Sequence, residues 1–583
     1  MHAPGAVRNV SQNAVNAGAW RRTARLNGFT AIGLAGTILA LAPLAALAVI
    51  AAQGDGAALV HVLRHVAGAA AVQTAFLLGG VAICILLLGV GMAWLVTSWD
   101  FPGRRFAEAA AILPLALPAY VMAYAWLDLA HPIGPLQSAL RDLLEVADPR
   151  DLRLPDLRSL PGAICIFSLA LYPYVYIGVR AAFQSRIAAQ VEAARLLGAG
   201  ETGVVFRVAI PLARPAMAAG VALALMETLN DIGAAEFLSV TTLTTSVYST
   251  WINRSDLPGA AQIALATLAI VLGLVVMERW ARGARRYAAG GLRPHPPARM
   301  ARGLAGLGLL ALTLLPSLLG FAAPTLHLGR QALLRIAANG LPADIARETL
   351  NTLGVALAAS GLCVFGAVAI LAGARENFAS RLQRALPRLS SVGYALPGVV
   401  LAIGLLAIFG AIDAALRALG VSLGFKPTGL ILSASISAIV IALTIRFFRL
   451  AVSKIETGFQ RIPVSLDNSA RVLGRSQFQT LREIHIPLLT PSIAAAALLV
   501  FVDSMKELPA TLLLRPMNFE TLATHVYAEA ARGTYENGAI AACIIILVGL
   551  APVIFLTFVG TQPAQSAPRA GARIAASKQT LAS

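Results

Sequence analysis

Twelve runs of apolar residues, each roughly twenty residues or longer, recur along this chain, and nothing else in the sequence restricts its fold as severely. They fall near 28–51, 75–97, 107–130, 161–183, 216–238, 259–278, 303–323, 350–372, 389–411, 429–448, 490–514 and 538–560. A helix of about twenty such residues crosses the ~30 Å hydrocarbon layer of a bilayer. A mean hydropathy of +0.75 over 583 residues, with 58% hydrophobic and 13% charged residues, places the chain in a membrane. Lipid offers no hydrogen bonds, so spanning backbone must satisfy itself as helices or as a closed barrel. A barrel would show alternating segments of about ten residues instead of continuous runs. The expected fold is an all-α integral membrane protein with about twelve transmembrane helices.

The net charge of +18 takes its meaning from its placement. Arg21, Arg22 and Arg25 precede the first run; Arg279, Arg282, Arg285, Arg286, Arg293, Arg299 and Arg302 lie between the sixth and seventh; Arg569, Arg573 and Lys578 lie in the tail. In a twelve-span chain all three clusters share one side. The connection at 131–160 falls on the other, where Asp142, Glu145, Asp148, Asp151 and Asp156 outnumber Arg141, Arg150, Arg153 and Arg158. This is the positive-inside pattern; it places both termini in the cytoplasm and argues against nucleic acid as a partner. Cys84, Cys165, Cys363 and Cys543 all lie within apolar runs, form no CxxC or Cys/His grouping, and are expected to act as small core residues with no metal site. The first run is longer than a signal peptide's apolar region, so it is expected to be retained despite Ala46-Leu47-Ala48.

The chain repeats itself. TLTTSVYSTW at 242–251 and TLATHVYAEA at 521–530 share Thr, Leu, Thr, Val and Tyr at a shift of 279, which also carries Ala116-Leu117-Pro118 onto Ala395-Leu396-Pro397 and Cys84 onto Cys363. Arg195, Gly198, Pro211 and Pro215 recur as Arg471, Gly474, Pro487 and Pro491 at a shift of 276. Six spans per copy is an even number, so the copies lie the same way up, about an axis along the membrane normal, and enclose a central path. The domains expected are an N-terminal tail 1–27, a first half 28–278, a cytoplasmic linker 279–302, a second half 303–560 and a C-terminal tail 561–583, both tails poorly ordered.

After the fourth span of each half comes a polar cytoplasmic loop, 185–215 and 461–491. The first, QVEAARLLGAGETGVVFRVAIPLARP from 190, reads as a short helix from about Ser185 to Leu197, a break at Gly198-Ala199-Gly200, and a second short helix closed by Pro211. The second, SLDNSARVLGRSQFQTLREIHIPLLTP from 465, breaks at Gly474 and stops at Pro487. These loops resemble the EAA loop of ABC importer permeases. Glu192, Ala193, Ala194, Gly198, Ile210 and Pro211 fit its spacing, as do Ala470, Gly474, Ile486 and Pro487, whereas Asn468 replaces the glutamate in the second copy. The resemblance implies two tandem six-helix, MetI-like permease halves whose loops dock on two cytoplasmic ATPase subunits. It also implies a periplasmic binding protein that delivers substrate, and an inner-membrane location. Small alanines let a helix seat closely in a groove, and glycine permits the sharp turn. No G-x-x-x-x-G-K-[ST] occurs, so no ATP site is expected in the chain; the nucleotide belongs to the partner, and the chain is not expected to be an enzyme.

The span after each loop carries charge. Glu227 and Asp231 in the first copy match Asp503 and Glu507 in the second; Glu236 and Lys506 are added. Spacing of i, i+4 places each carboxylate pair on one face of a helix. Counting METLNDIGAAEF and DSMKE together, the balance is about minus four, suited to a cationic substrate. Three readings stand: these residues line the path, they form a structural ion pair through Lys506, or they sit in interfacial water. KELPATLLLRPMNFETLATHVY and ETLNDIGAAEFL are similar to the fused permeases of bacterial iron(III) importers, which implies ferric ion as substrate. Related permeases carry thiamine or phosphonates. A secondary transporter powered by a proton gradient is the rival from another class.

Overall fold

The computed structural model describes residues 28–54, 68–146, 148, 151–184, 186–282, 299–376, 381–424, 429–433 and 435–561. The expectations for residues 1–27, 283–298 and 562–583 lie outside these. Among the described residues, eleven helices are long and apolar enough to cross a membrane, and the pair Arg104–Ala116 and Ala119–Leu129, bent by 96°, brings the number to twelve if it serves as one span. Helix Leu160–Phe183 has contacts bearing on this pair near both of its ends. Near one end, Arg180 Nη2 donates to Glu108 Oε2 at 2.6 Å. Just before the other, Arg158 Nη2 donates to the Tyr535 hydroxyl at 3.1 Å, and the Tyr535 carbonyl accepts from the Tyr124 hydroxyl. The bent pair therefore runs beside its neighbour over a 24-residue helix, about 36 Å.

The bend corrects the straight span expected at 107–130, and its cause is local. Leu117 is extended (ψ 110°) and Pro118 begins the next helix. A proline clashes with a helical residue before it and lacks the N–H that would continue the ladder. The repeated tripeptide does the same in the second copy, where Leu396 has ψ 127° and Pro397 caps helix Gly398–Ser422. There the span expected at 389–411 begins only at Gly398. The residues before it form a separate helix, Arg381–Leu389, and the span expected at 429–448 is helix Ile436–Gln460.

Two compact units are present, and neither coincides with a repeat. The first joins residues up to Ala70, Leu243–Gly273 and Ala346–Thr521; the second joins Ala71–Thr242, Leu274–Ile345 and the chain from Leu522. Each unit thus takes the middle of one repeat and the flanking spans of the other. In the first unit helix Gly28–Gln53 lies along Gly398–Ser422, close enough that a Cβ on Gly404 would meet Pro43, and Ile436–Gln460 lies along Ile486–Met505. In the second, Leu160–Phe183 lies along Ile210–Asn230, and Ala323–Asn339 along Tyr535–Thr561. A two-residue parallel pairing, Trp99–Asp100 with Arg299–Met300, ties the end of the linker into the second unit. Cys363 is buried, its thiol 3.4 Å from the Thr444 carbonyl, but Cys165 is exposed, so the core expectation fails for that residue.

Candidate functional site

Each candidate docking loop opens with a helix, Arg186–Leu196 in the first copy and Val464–Val472 in the second. Both close identically. Gly198 (φ 84°) and Gly474 (φ 72°) take the left-handed conformation. Their N–H groups donate to the Arg195 and Arg471 carbonyls, both at 3.0 Å, and the next residues, Ala199 and Arg475, donate to Ala194 and Ala470, both at 3.0 Å. This is a Schellman closure, and it needs glycine for its φ. A side chain at either glycine would meet nothing within 4 Å, so backbone conformation alone sets the requirement.

Beyond the turn the chain departs from expectation. Pro211 and Pro487 do not end a helix; each lies inside a continuous one, Glu201–Asn230 and Gln477–Met505. Immediately before each Ile-Pro the helix widens into a π segment, Val204–Ala209 and Leu481–His485. A proline ring collides with the carbonyl four residues back and cannot donate a bond; one wider turn ahead of it removes both conflicts. Ile210, Pro211, Ile486 and Pro487 therefore join the loop to the membrane helix as one stiff piece.

Glu192 and Ala193 are exposed and Ala194 half-buried; in the second loop Asn468 is exposed and Ala470 buried. Apolar side chains stand exposed at both turns: Leu196 (84%) and Leu197 (89%), and at the same shift Val472 (87%) and Leu473 (77%). Sequence reading passed over these pairs, although an apolar doublet directly before the turn glycine in both copies is a legible signal. It missed a second feature as well. Asp467, 6% exposed, is clamped by Arg375, whose Nε donates to Oδ2 at 2.7 Å, and by His485, whose Nε2 donates to Oδ1 at 2.7 Å. The remaining Arg375 nitrogens donate to the Phe459 and Ile462 carbonyls, both at 2.7 Å. Burial pushes the Asp467 carboxyl up, but the bonds and charges of His485 and Arg375 outweigh it and hold the group below the usual aspartate range. In the first loop the half-buried carboxylate Glu201 pairs with Arg195 at 3.2 Å and with Arg299, from the end of the linker, at 2.8 Å.

The carboxylate pairs do not share a helical face. The helix expected through 490–514 ends at Met505, and that expected through 216–238 ends at Asn230; beyond them come the short helices Pro509–Leu514 and Ile232–Phe237. Asp503 and Glu227 are the last acidic residues of their helices, whereas Glu507 and Asp231 stand in the breaks and cap the short helices. Asp231 Oδ1 accepts from Ala234 N at 2.8 Å. Glu507 Oε1 accepts from Ala510 N at 2.8 Å; Oε2 accepts from Thr511 N at 3.0 Å and from its hydroxyl at 2.7 Å. Glu507 is 4% exposed, and Arg446 Nη1 donates to its Oε1 at 2.8 Å. Aspartate at a helix start and proline at its first turn are ordinary cap signals that the apolar surroundings obscured. Lys506 Nζ lies 2.7 Å from Asp503 Oδ1, the i, i+3 pair that the ion-pair reading anticipated. Glu236 is exposed and its Oε2 accepts from the Tyr527 hydroxyl at 2.6 Å, with Phe237 stacked on the Tyr527 ring. With Arg446 counted, the second copy is neutral, so the acidic excess rests on Glu227, Asp231 and Glu236 of the first.

Comparison with known proteins agrees with this duplicated geometry. The chain is 24% identical over 509 residues to the Fe(3+)-transport system permease protein FbpB 2 of Haemophilus influenzae, covering 83% of this chain and 88% of that one. Over 199 residues it is 33% identical to the putative 2-aminoethylphosphonate transport system permease protein PhnU of Salmonella paratyphi A, covering 34% of this chain and 68% of the relative. Over 211 residues it is 26% identical to the molybdenum transport system permease protein ModB of Escherichia coli, covering 35% and 89%. These relatives are transport permeases and not enzymes. The model of the binding-protein-dependent transport system inner membrane component family matches twice, at 85–283 and 366–562, and the chain belongs to that family.

Proposed function

We propose that this chain is the permease of an ABC importer that moves iron(III) from a periplasmic binding protein to the cytoplasm of a bacterium. It resides in the inner membrane with both termini cytoplasmic, and two separate ATPase subunits drive it through the loops around Gly198 and Gly474. The observation that carries the choice of iron is the extent of likeness: the ferric relative aligns across both repeats, whereas the phosphonate and molybdenum relatives cover about a third of the chain. The charge agrees by composition, since METLNDIGAAEF carries three carboxylates and no basic residue. Glu227, Asp231, Glu236 and Asp503 are the proposed lining of the path, offering weak oxygen ligands to a hard cation in passage. Glu507 and Lys506 act there mainly by holding the broken helix in shape.

Proteoliposomes containing the chain, its ATPase and its binding protein provide the test. Uptake of ferric ion that requires ATP and survives collapse of the proton gradient is expected, and Glu227→Gln is expected to lower it sharply with assembly intact. Uptake of 2-aminoethylphosphonate, molybdate or thiamine in place of iron would overturn the substrate; uptake that tracks the proton gradient without ATP would overturn the class.

A further inference from the structure

The nine-residue helix Pro135–Leu143, PLQSALRDL, in the connection after the bent pair, is built inside out. Its polar side chains are the buried ones. Gln137 Nε2 donates to the Ala130 carbonyl at 2.8 Å, and its Oε1 accepts from Leu154 N at 3.3 Å; Arg141 Nη1 donates to the Pro132 carbonyl at 2.8 Å and Nη2 to the Ser138 hydroxyl at 3.2 Å. The Gln137 bond holds the helix to the end of the bent pair, which closes at Leu129. The apolar side chains point away from the protein: Leu136, Leu143 (78%) and Leu144 are exposed, and so is Ile133 (75%) just before the helix. At 3.6 residues per turn the helix has three faces. Gln137 and Arg141 make the inner one, Ser138 and the exposed Asp142 a second, and Leu136, Ala139, Leu140 and Leu143 the third. Faces suited to protein, water and hydrocarbon are what a helix needs to lie flat where a span leaves the membrane.

Two observations identify lipid as the cover of the third face. The first is position. Asp128, one residue before the end of the bent pair, has an Oδ2 that accepts from His327 Nε2 at 2.8 Å and from Gln331 Nε2 at 3.1 Å, both on the spanning helix Gly303–Asn339. Leu326 and Leu333, on the turns that carry these two partners, are exposed. The apolar outer surface of a span therefore continues to the level at which the short helix is pinned. The second is composition. The exposed face from Ile133 to Leu144 holds leucine, isoleucine and alanine and no Trp, Tyr or Arg; those three types anchor contacts between proteins, where leucine is under-represented.

We propose that helix Pro135–Leu143 is an interfacial anchor: Ile133, Leu136, Leu143 and Leu144 enter the acyl chains of the adjoining leaflet, Ser138 and Asp142 stay in water, and the end of the bent pair is thereby fixed at the membrane surface. The test is photolabelling of the full chain in liposomes that contain a phospholipid with a diazirine near the top of its acyl chain, with labelled residues mapped by peptide mass spectrometry. Labelling is expected on Leu136 and Leu143, comparable with that on Leu326, and not on Ser138 or Asp142. Leu136→Asn/Leu143→Asn removes two apolar anchors, each worth about tenfold in insertion, and should lower the labelling of Ile133 and Leu144 by about tenfold or more. Labelling of Leu326 with none from 133 to 144 would overturn the proposal, as would labelling unaltered in the asparagine variant. So would labelling that disappears when the periplasmic binding protein is added, which would give the face to that protein, or when the protein-to-lipid ratio is raised, which would give it to a second copy. The wild-type map decides even if the asparagine variant does not fold, and it needs neither ATPase nor transported substrate, so its outcome is independent of the transport reading.

Discussion

In the first docking loop Val191 and Ala209, both buried, fill the positions that Asp467 and His485 occupy in the second. The two loops share their Schellman turns, their π segments and their exposed apolar doublets, yet one is seated by small apolar side chains with ion pairs at the surface, the other by a buried cluster of Arg, Asp and His. Apolar contact is forgiving and non-directional, whereas a buried charge cluster holds one geometry and tolerates no missing member. The first loop is also stitched through Glu201 to Arg299 at the linker's end, whereas in the second the uncharged Gln477 takes the place of Glu201. One design therefore holds its two proposed ATPase-docking loops on supports of different stiffness.

The comparison is broken most directly at Asp467. Asp467→Ala leaves the buried His485 and the half-buried Arg375 without their anion and is expected to cost up to about 3–5 kcal/mol of local stability, read as lost hydrogen-exchange protection across Val464–Val472. Replacing the whole cluster, Arg375→Met with Asp467→Val and His485→Ala, restores most of that protection if the first loop's apolar solution is equivalent. Acid tests the same support. Because the folded Asp467 carboxyl lies below its unfolded value, its contribution is complete above the usual aspartate pKa of about 3.9 and is lost as pH falls through the lower folded value. The wild-type melting temperature should thus fall more steeply below about pH 4 than that of Asp467→Ala. Smaller and alike in both loops is the effect of the turn glycines: Gly198→Ala and Gly474→Ala should each cost about 1–2 kcal/mol, since only φ is at stake, and a large inequality would reveal a side-chain role. Smallest is Glu201→Gln, expected at about 1 kcal/mol because its pairs with Arg195 and Arg299 are only partly buried; its effect should fade in high salt, unlike that of Asp467→Ala.

The sequence exposed these loops because their instructions are local: a glycine at a fixed distance from a small-residue helix, repeated. The same holds for Leu117-Pro118 and Leu396-Pro397, whose repetition was visible although the bend was not, since an apolar run conceals a kink when composition alone is averaged. The breaks at Asp231 and at Lys506-Glu507-Leu508 were hidden in the same way; Pro509 marked one, and the capping reach of Asp231 the other. What no spacing discloses is pairing across long stretches of chain. Arg375 meets Asp467 across 92 residues and Arg446 meets Glu507 across 61, and neither has a counterpart in the first copy by which register could have revealed it.

The interleaving of the repeats has a consequence for how such a chain can be inherited and altered. A single copy made on its own would lack the flanking spans that its own core uses and would present spans meant for a sister copy, so it is expected to be stable only beside a second one. Covalent fusion then guarantees equal supply of both copies and frees each to drift in its chemistry, and a substitution in the opening helix of one copy registers in the interior of the other.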